Sequence, residues 1–326
     1  MIKELTANRK LVQRFVKDYN LPINLFDDWH FEYYAGLYDF FPLEAWHCLE
    51  KTIQERFDYS VEKWLDYCQG VRDNAIACIK NSKGYEEFNT CDMSKYAVKP
   101  PVGERSCYTE ETDGAVFLSV DLRKANFQAL KYVGVIYDDT YDDFIERAGG
   151  DDYIKGSKYL RQVIFGNCNP SRQATIERYL ISQVYAIMSH THIPAVVEDV
   201  FSMNSDEIVF RLKVGENDTE LLSRLNEECI KYYEDEIKKS LGIDVRAEFF
   251  LVKKLYVVNH NGDNVDAYVR RNLVDGTEKL KKASTTFLPQ IYKLWKGLNI
   301  AYYDREFYFE NQIATFNHDL ILKKND

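Results

Sequence analysis

The stretch Asn204-Ser205-Asp206-Glu207-Ile208-Val209-Phe210 places an acidic turn inside an apolar run. Residues 200–203 before the turn and 208–212 after it are rich in β-favouring side chains. Two such runs joined by a short polar segment predict a tight β-hairpin with Asp206 and Glu207 at its tip. Because Asn, Ser and Asp are preferred in ordinary turns, an exposed turn without chemical function is an equally weighted interpretation.

A second carboxylate ends the apolar run Val116-Phe117-Leu118-Ser119-Val120-Asp121. This run predicts a strand, and residues 122–130 after it predict a helix. An Asp at a strand-to-helix junction can hold Mg²⁺ beside phosphate oxygens, although it can also serve as a helix N-cap without catalysis. Two carboxylates on adjacent strands form the protein half of a two-metal phosphoryl-transfer site. Asp121 and Asp206 are therefore the candidate metal ligands, and Glu207 is a candidate assisting ligand.

Composition limits the classes of function. The chain has 326 residues and a formal net charge of −10, which disfavours nucleic-acid binding over the whole surface but allows a local basic groove. The sequence contains no secretory apolar segment at its start and no apolar stretch that could cross a bilayer. Its seven cysteines are scattered without CxxC spacing, which predicts reduced thiols and no zinc site. We expect a soluble, cytoplasmic protein without a membrane partner.

The pattern of apolar residues changes near residues 95–110. Helical spacing dominates before this point, and the segment Lys99-Pro100-Pro101-Val102-Gly103 interrupts regular structure. After it, β-type runs cover residues 115–120, 200–212 and 245–259, with helical stretches at residues 171–188 and 218–239. This order predicts an α+β fold in which helices pack on one face of an antiparallel sheet. We predict a helical N-terminal region over residues 1–100 and a second domain over residues 101–326.

Basic residues are concentrated in the last third of the chain. Lys253 and Lys254 lie inside an otherwise apolar strand, so at least one of them should reach the surface and meet an anion. Further basic residues follow and resemble a track for a phosphate backbone, namely Arg270, Arg271, Lys279, Lys281, Lys282, Lys293 and Lys296. The helix with Lys293 and Lys296 is better interpreted as a solvated basic face.

Taken together, the order of these segments resembles the palm of family B DNA polymerases over roughly residues 113–292. Val120-Asp121-Leu122 resembles the family's strand-end Asp, and Asn204-Ser205-Asp206-Glu207-Ile208 resembles its Asp-Thr-Asp-Ser hairpin. Lys253-Lys254-Leu255-Tyr256 matches the Lys-Lys-x-Tyr strand, and residues 276–285 are similar to the Gly-x-Glu-x-x-Arg-Arg segment that follows it. Asn204 replaces the first Asp of the hairpin, whereas Asp206 keeps the position of the metal-binding second Asp.

The resemblance implies a nucleotidyltransferase with an antiparallel palm-type sheet. It implies two Mg²⁺ or Mn²⁺ ions at Asp121 and Asp206, with primer–template DNA and nucleoside triphosphates as substrates. Lys158 or Arg161 would meet the triphosphate, and Asn126 or Phe127 stands where the family has a Tyr beside the sugar. The residues implied to hold nucleic acid are Lys253, Lys254, Tyr256, Lys281 and Lys282.

Parts of the family's architecture are missing. Residues 1–100 are too short and too helical for the usual exonuclease domain, the fingers region is much reduced, and little chain remains for a thumb. A partner subunit or a narrower reaction would supply what is missing. Two alternatives follow: a non-catalytic palm-like subunit that binds nucleic acid or acts as a scaffold, and a palm enzyme similar to tRNA guanylyltransferases, whose hairpin also carries a Ser-Asp-Glu pattern.

Overall fold

The computed structural model of the chain describes residues 5–190, 197–215, 230–310 and 312–323. Its α-helices are α1 (Arg9–Asp18), α2 (Asp28–Leu37), α3 (Leu43–Phe57), α4 (Val61–Lys80), α5 (Lys83–Thr90), α6 (Ala125–Tyr132), α7 (Tyr141–Arg147), α8 (Asp152–Gly156), α9 (Lys158–Gly166), α10 (Pro170–His190), α11 (Lys231–Leu241) and α12 (Leu288–Trp295). Its strands are β1 (Val116–Leu122), β2 (Val197–Met203), β3 (Glu207–Leu212), β4 (Val245–Lys254), β5 (Val257–Val258), β6 (Asn264–Val265), β7 (Tyr268–Asn272), β8 (Glu278–Lys281), β9 (Glu306–Phe309), β10 (Gln312–Thr315) and β11 (Ile321–Leu322). The predicted α+β class is confirmed.

The central element is a six-stranded sheet in the order β2-β3-β1-β4-β7-β8. Every neighbouring pair in this sheet is antiparallel. The hairpin predicted around Asp206 is formed by β2 and β3, and the run that ends at Asp121 forms β1. Of the helix predicted over residues 218–239, residues 218–229 lie outside the described part of the chain, and α11 covers residues 231–239.

The two faces of this sheet differ in chemistry because side chains alternate along each strand. On one face, Tyr185 of α10 stacks on Phe210 of β3 with ring centroids 6.5 Å apart, so helices cover this face. On the other face, Phe117 stacks on Phe250 within a buried apolar cluster. Asp121 lies on the same face as Phe117, four residues further along β1. The polar end of this second face forms the candidate site.

The chain forms two compact units, and each is assembled from separate segments. The first contains Met1–Glu86, Tyr137–Cys168 and Ser284–Asp319, and the second contains Glu87–Ile136, Asn169–Ala283 and Leu320–Asp326. The six-stranded sheet belongs to the second unit. The helical region predicted over residues 1–100 contributes to both units, so the compact units do not follow a single division near residue 100.

The first unit is built from helices around an aromatic core. The ring of Phe15 packs against the rings of Phe31, Trp46 and Tyr153, with centroids between 5.0 and 6.4 Å away. α12 also belongs to this unit, and it does not form the solvated basic face that its lysines suggested: Lys293 is buried, whereas Lys296 is exposed. Among the described helices, none combines the length and apolar character needed to cross a bilayer.

Candidate functional site

The sheet brings the two predicted metal ligands to the same end of adjacent strands. Asp121 of β1 lies opposite Glu207 of β3 in the antiparallel ladder. The backbone N–H of Leu122 donates to the carbonyl oxygen of Asp206 over 2.8 Å. Asp206 therefore sits in the turn directly beside the strand end that carries Asp121.

The side chain of Asn204 organises the turn. Its carbonyl oxygen accepts hydrogen bonds from the backbone N–H groups of Asp206 (3.0 Å) and Glu207 (2.7 Å). This arrangement is the one in which Asn or Asp stabilises a turn two residues ahead. Asn204 therefore stabilises the backbone of this turn.

We expect Asn204→Ala to lower the free energy of unfolding by about 1–2 kcal/mol, because two partly buried N–H groups lose their acceptor. Asn204→Asp keeps an acceptor at the same place and is the matched control. Urea denaturation of both variants measures the difference. Equal stability of the Ala and Asp variants would contradict the role given to the side chain.

Asp121 is not a helix N-cap. The N-cap of α6 is Lys124, which has φ 54° and forms no capping hydrogen bond through its side chain. Asp121 instead lies within β1, before the turn that leads to α6. The capping role considered from the sequence is therefore wrong, and the position of this carboxylate has to be explained in another way.

Negative charge is crowded around Asp121. Burial, together with the nearby carboxylates of Asp206, Glu207 and Glu248, raises the pKa of its carboxyl to about 7, while Arg246 opposes this shift. A carboxyl in this state is protonated for part of the time near neutral pH, because like charges in a partly buried site disfavour ionisation. A cation bound at this point would relieve the same repulsion.

The charged end of the sheet face surrounds a cavity of about 230 Å³. Acidic groups lie on β3, β1 and β4, where Arg246 is also found, and the other basic groups lie on β7 and β8. The guanidinium of Arg270 pairs with Glu248 and stacks over the ring of Phe250 at 3.7 Å. The lining residues are Ser119, Asp121, Glu207, Arg246, Glu248, Arg270, Lys279 and Lys281.

Lys281 is the predicted nucleic-acid contact that reaches this cavity. Burial lowers its pKa, and the neighbouring cations Arg270 and Lys279 lower it further. Three basic side chains so close together repel one another, and a phosphate group would offset that repulsion. Lys282 follows at the end of β8 with φ 57° and an exposed side chain.

The lysines and the tyrosine of the Lys-Lys-x-Tyr segment have different surroundings. Lys254 is tied to the segment before β1: its Nζ lies 3.0 Å from Glu110, and its backbone N–H donates to Asp113. The hydroxyl of Tyr256 donates to Asp113 over 2.9 Å. Lys253 points to the other face of β4 and is exposed. In this structure Lys254 and Tyr256 hold protein elements together.

A third carboxylate lies close to the hairpin tip. Glu177 of α10 is only 5% exposed and accepts a hydrogen bond of 2.6 Å from the side-chain amide of Asn126. Burial, together with the charge of Asp206, raises the pKa of Glu177 to about 7. Asn126 is thus held near the hairpin tip, whereas Phe127 is 1% exposed and has no surface for a nucleotide.

Lys158 and Arg161 lie on α9 in the first compact unit. The guanidinium of Arg161 lies 6.0 Å from the ring centroid of Tyr141. Asp121 belongs to the second unit. The contact of Lys158 or Arg161 with a triphosphate stays a prediction.

The donor set at the hairpin tip fits a cation that is shared with a substrate. Within the described ranges, no three His, Cys, Asp or Glu side chains are grouped so that they could enclose a metal ion. Mg²⁺ commonly binds to one or two carboxylates and takes its remaining ligands from substrate phosphates and water. Asp121 and Asp206 lie at neighbouring strand ends in surroundings with excess negative charge, and each lines a different cavity.

Several residues of this site were not predicted from the sequence. Arg246 and Glu248 alternate with Ala247 and Phe249 along β4, and this polar–apolar alternation was a usable signal for a strand with one polar face. Glu177 carried no such signal, because a single acidic residue in a helix is most often solvated. Its burial depends on the packing of α10 against the sheet.

Searches of protein-family models and of curated proteins found no match to this chain. The molecule is therefore characterised by its own geometry: an antiparallel sheet covered by helices on one face, with the carboxylates of Asp121, Glu207 and Glu248 and a basic flank on the other.

The raised pKa of Asp121 predicts a pH-dependent stability. The folded form holds a proton up to about pH 7, whereas an unfolded Asp releases it near 3.8, so the contribution is present below 3.8 and is lost as the pH rises through 7. We expect wild type to lose about 1–2 kcal/mol more than Asp121→Asn between roughly pH 5.5 and 8, because Glu177, whose pKa is also raised to about 7, contributes equally in both proteins. Urea denaturation at both pH values measures this, and parallel losses in the two proteins would contradict the assignment.

Proposed function

We propose that the protein is a nucleotidyltransferase of the polymerase type, which adds nucleotides to the 3′-hydroxyl of a nucleic acid. The observation that carries this proposal is the pairing of Asp121 and Asp206 at the ends of adjacent antiparallel strands. The resemblance of the surrounding segments to the palm of family B DNA polymerases supports the same reaction.

In this proposal the two carboxylates hold Mg²⁺ or Mn²⁺. Two such ions, when bound, lower the pKa of the attacking 3′-hydroxyl and neutralise the triphosphate. The 3′-oxygen forms a bond to the α-phosphorus, the bond to the bridging oxygen breaks, and pyrophosphate leaves.

The basic flank of the cavity would bind phosphate groups. Arg270, Lys279 and Lys281 lie on the same sheet face as Asp121, so a phosphodiester held there would stand next to the carboxylate pair. Arg270 is fixed by Glu248 and by the ring of Phe250, and this preorganises its guanidinium for a bidentate contact. We propose primer–template DNA as the nucleic acid and a cytoplasmic location, in keeping with cysteines that form no disulfide bond in the described part of the chain.

One observation favours a second function, that of a non-catalytic nucleic-acid-binding or scaffold subunit. Lys254 and Tyr256, which the resemblance assigns to the primer end, are bound to Glu110 and Asp113 within the protein. A subunit that had lost catalysis could use these side chains for structure alone.

A primer-extension assay separates the two functions. A labelled primer is annealed to a DNA or an RNA template and incubated with deoxyribo- or ribonucleoside triphosphates and Mg²⁺ or Mn²⁺. We expect wild type to lengthen the primer in at least one of these mixtures and Asp206→Asn to leave it unchanged. Absence of product in every mixture, together with retained binding of the primer–template, would support the non-catalytic subunit instead.

A further inference from the structure

A groove on the first compact unit lies between α2 and α3 and has no part in the site described above. It encloses about 280 Å³ and is lined mainly by apolar groups. The rings of Phe31 and Trp46 are buried beneath it, and Ala35, Gly36 and Leu43 lie beside them. Leu43 is 43% exposed, so the apolar surface continues outwards from the groove.

The groove also contains a buried carboxylate oxygen. In the described part of the chain, Oε1 of Glu50 is buried and has no hydrogen-bond partner. The indole of Trp46 lies beside the same carboxylate, and burial raises the pKa of Glu50. A buried polar atom without a partner is unfavourable, and a donor supplied from outside the unit would satisfy it.

We propose that this groove docks a segment of a partner protein that presents a lysine or arginine beside a bulky apolar side chain. The apolar lining would take the bulky side chain, and Glu50 would accept a hydrogen bond from the basic one. Glu32 is exposed on the rim and adds a second negative charge. The whole chain is acidic as well, with a net charge of −10, so long-range attraction also favours a basic segment.

Gly36 offers a way to close the groove without disturbing the core. A Cβ added to Gly36 would meet no atom within 4 Å, so a larger side chain would extend into open space. Gly70 on α4 has the same property and does not line the groove. Both glycines lie inside helices, where leucine is a better helix former than glycine, so both Gly→Leu variants should fold.

The test uses a fluorescein-labelled amphipathic peptide of leucine and lysine, and a second peptide in which glutamate replaces every lysine. Fluorescence anisotropy measures their binding to the full chain. We expect the leucine–lysine peptide to bind wild type and Gly70→Leu equally, and to bind Gly36→Leu at least about tenfold more weakly. Glu50→Gln should weaken binding about threefold or more, and the leucine–glutamate peptide should not bind.

Circular dichroism melting of each variant shows whether it is folded, and the NMR signal of the Trp46 indole N–H reports on the groove directly. A shift of this signal by the leucine–lysine peptide supports the proposal. Three results would overturn it: no binding to wild type, equal binding to the Gly36→Leu and Gly70→Leu variants, or self-association of wild type that Gly36→Leu abolishes. The last result would assign the groove to a second copy of this chain.

Discussion

Asp121→Asn is expected to reduce nucleotide incorporation by about 10³-fold or more, which corresponds to about 4 kcal/mol of transition-state stabilisation. The substitution preserves the size and shape of the side chain and removes one carboxylate of the pair. Single-turnover extension of a labelled primer by one nucleotide measures the effect. Asp206→Asn should cause a loss of similar size, because both carboxylates are needed for the same cation site.

The Asp121→Asn variant should also be at least as stable against unfolding as wild type. Burial and neighbouring acids raise the pKa of Asp121, so the ionised carboxylate is under repulsion that Asn does not experience. Asp235→Asn is the matched control, because Asp235 is exposed on α11 in the same unit. It should change neither activity nor stability. If Asp121→Asn is both unstable and inactive, misfolding would explain the loss of activity. The same result would contradict the claim that neighbouring acids repel the ionised Asp121.

Lys293→Met is expected to lower the free energy of unfolding by about 3–5 kcal/mol. The ammonium of Lys293 lies 2.7 Å from Asp304, whose side chain is fully buried. The same carboxylate accepts hydrogen bonds from the hydroxyl of Tyr33 (2.8 Å) and from the backbone N–H of Ala301 (2.6 Å). Removal of the lysine leaves a buried negative charge without its counter-charge.

Lys296→Met is the matched control for this substitution. Lys296 is the residue directly after the same helix. Its ammonium lies 2.8 Å from the carboxylate of Asp39, whose side chain is 54% exposed. An exposed ion pair contributes about 0–1 kcal/mol, so this variant should be close to wild type. Chemical denaturation of the two variants side by side measures the difference. Similar losses of unfolding free energy in the two variants would contradict the claim that the burial of Asp304 makes its ion pair with Lys293 important for stability.

The local elements of the sheet could be predicted from the sequence. The hairpin around Asp206 and the strand ending at Asp121 follow from short runs of β-favouring residues and turn residues, which are signals between near neighbours. The proximity of Asp121 and Asp206 was also expected, and the resemblance of the segment order to a known palm supported it. Periodicity alone does not determine which strands become neighbours.

The pairing of charged groups depends on contacts between distant parts of the chain. Lys254 appeared available for nucleic acid in the sequence, yet it is bound to Glu110, and Lys293 appeared solvated, yet it is buried against Asp304. In the sequence, Asn126 and Phe127 were equivalent candidates for the residue beside the sugar. In the structure, Phe127 is buried in the core and the side chain of Asn126 is hydrogen-bonded to Glu177. These outcomes depend on tertiary packing, and no local pattern contains that information.

The most direct test of the account is a crystal structure of the protein with Mn²⁺ and a non-hydrolysable nucleoside triphosphate. The account predicts anomalous density between the carboxylates of Asp121 and Asp206, with the triphosphate oxygens completing the coordination. Crystals that contain the bound nucleotide but show Mn²⁺ elsewhere, or show no Mn²⁺ beside these two residues, would contradict it.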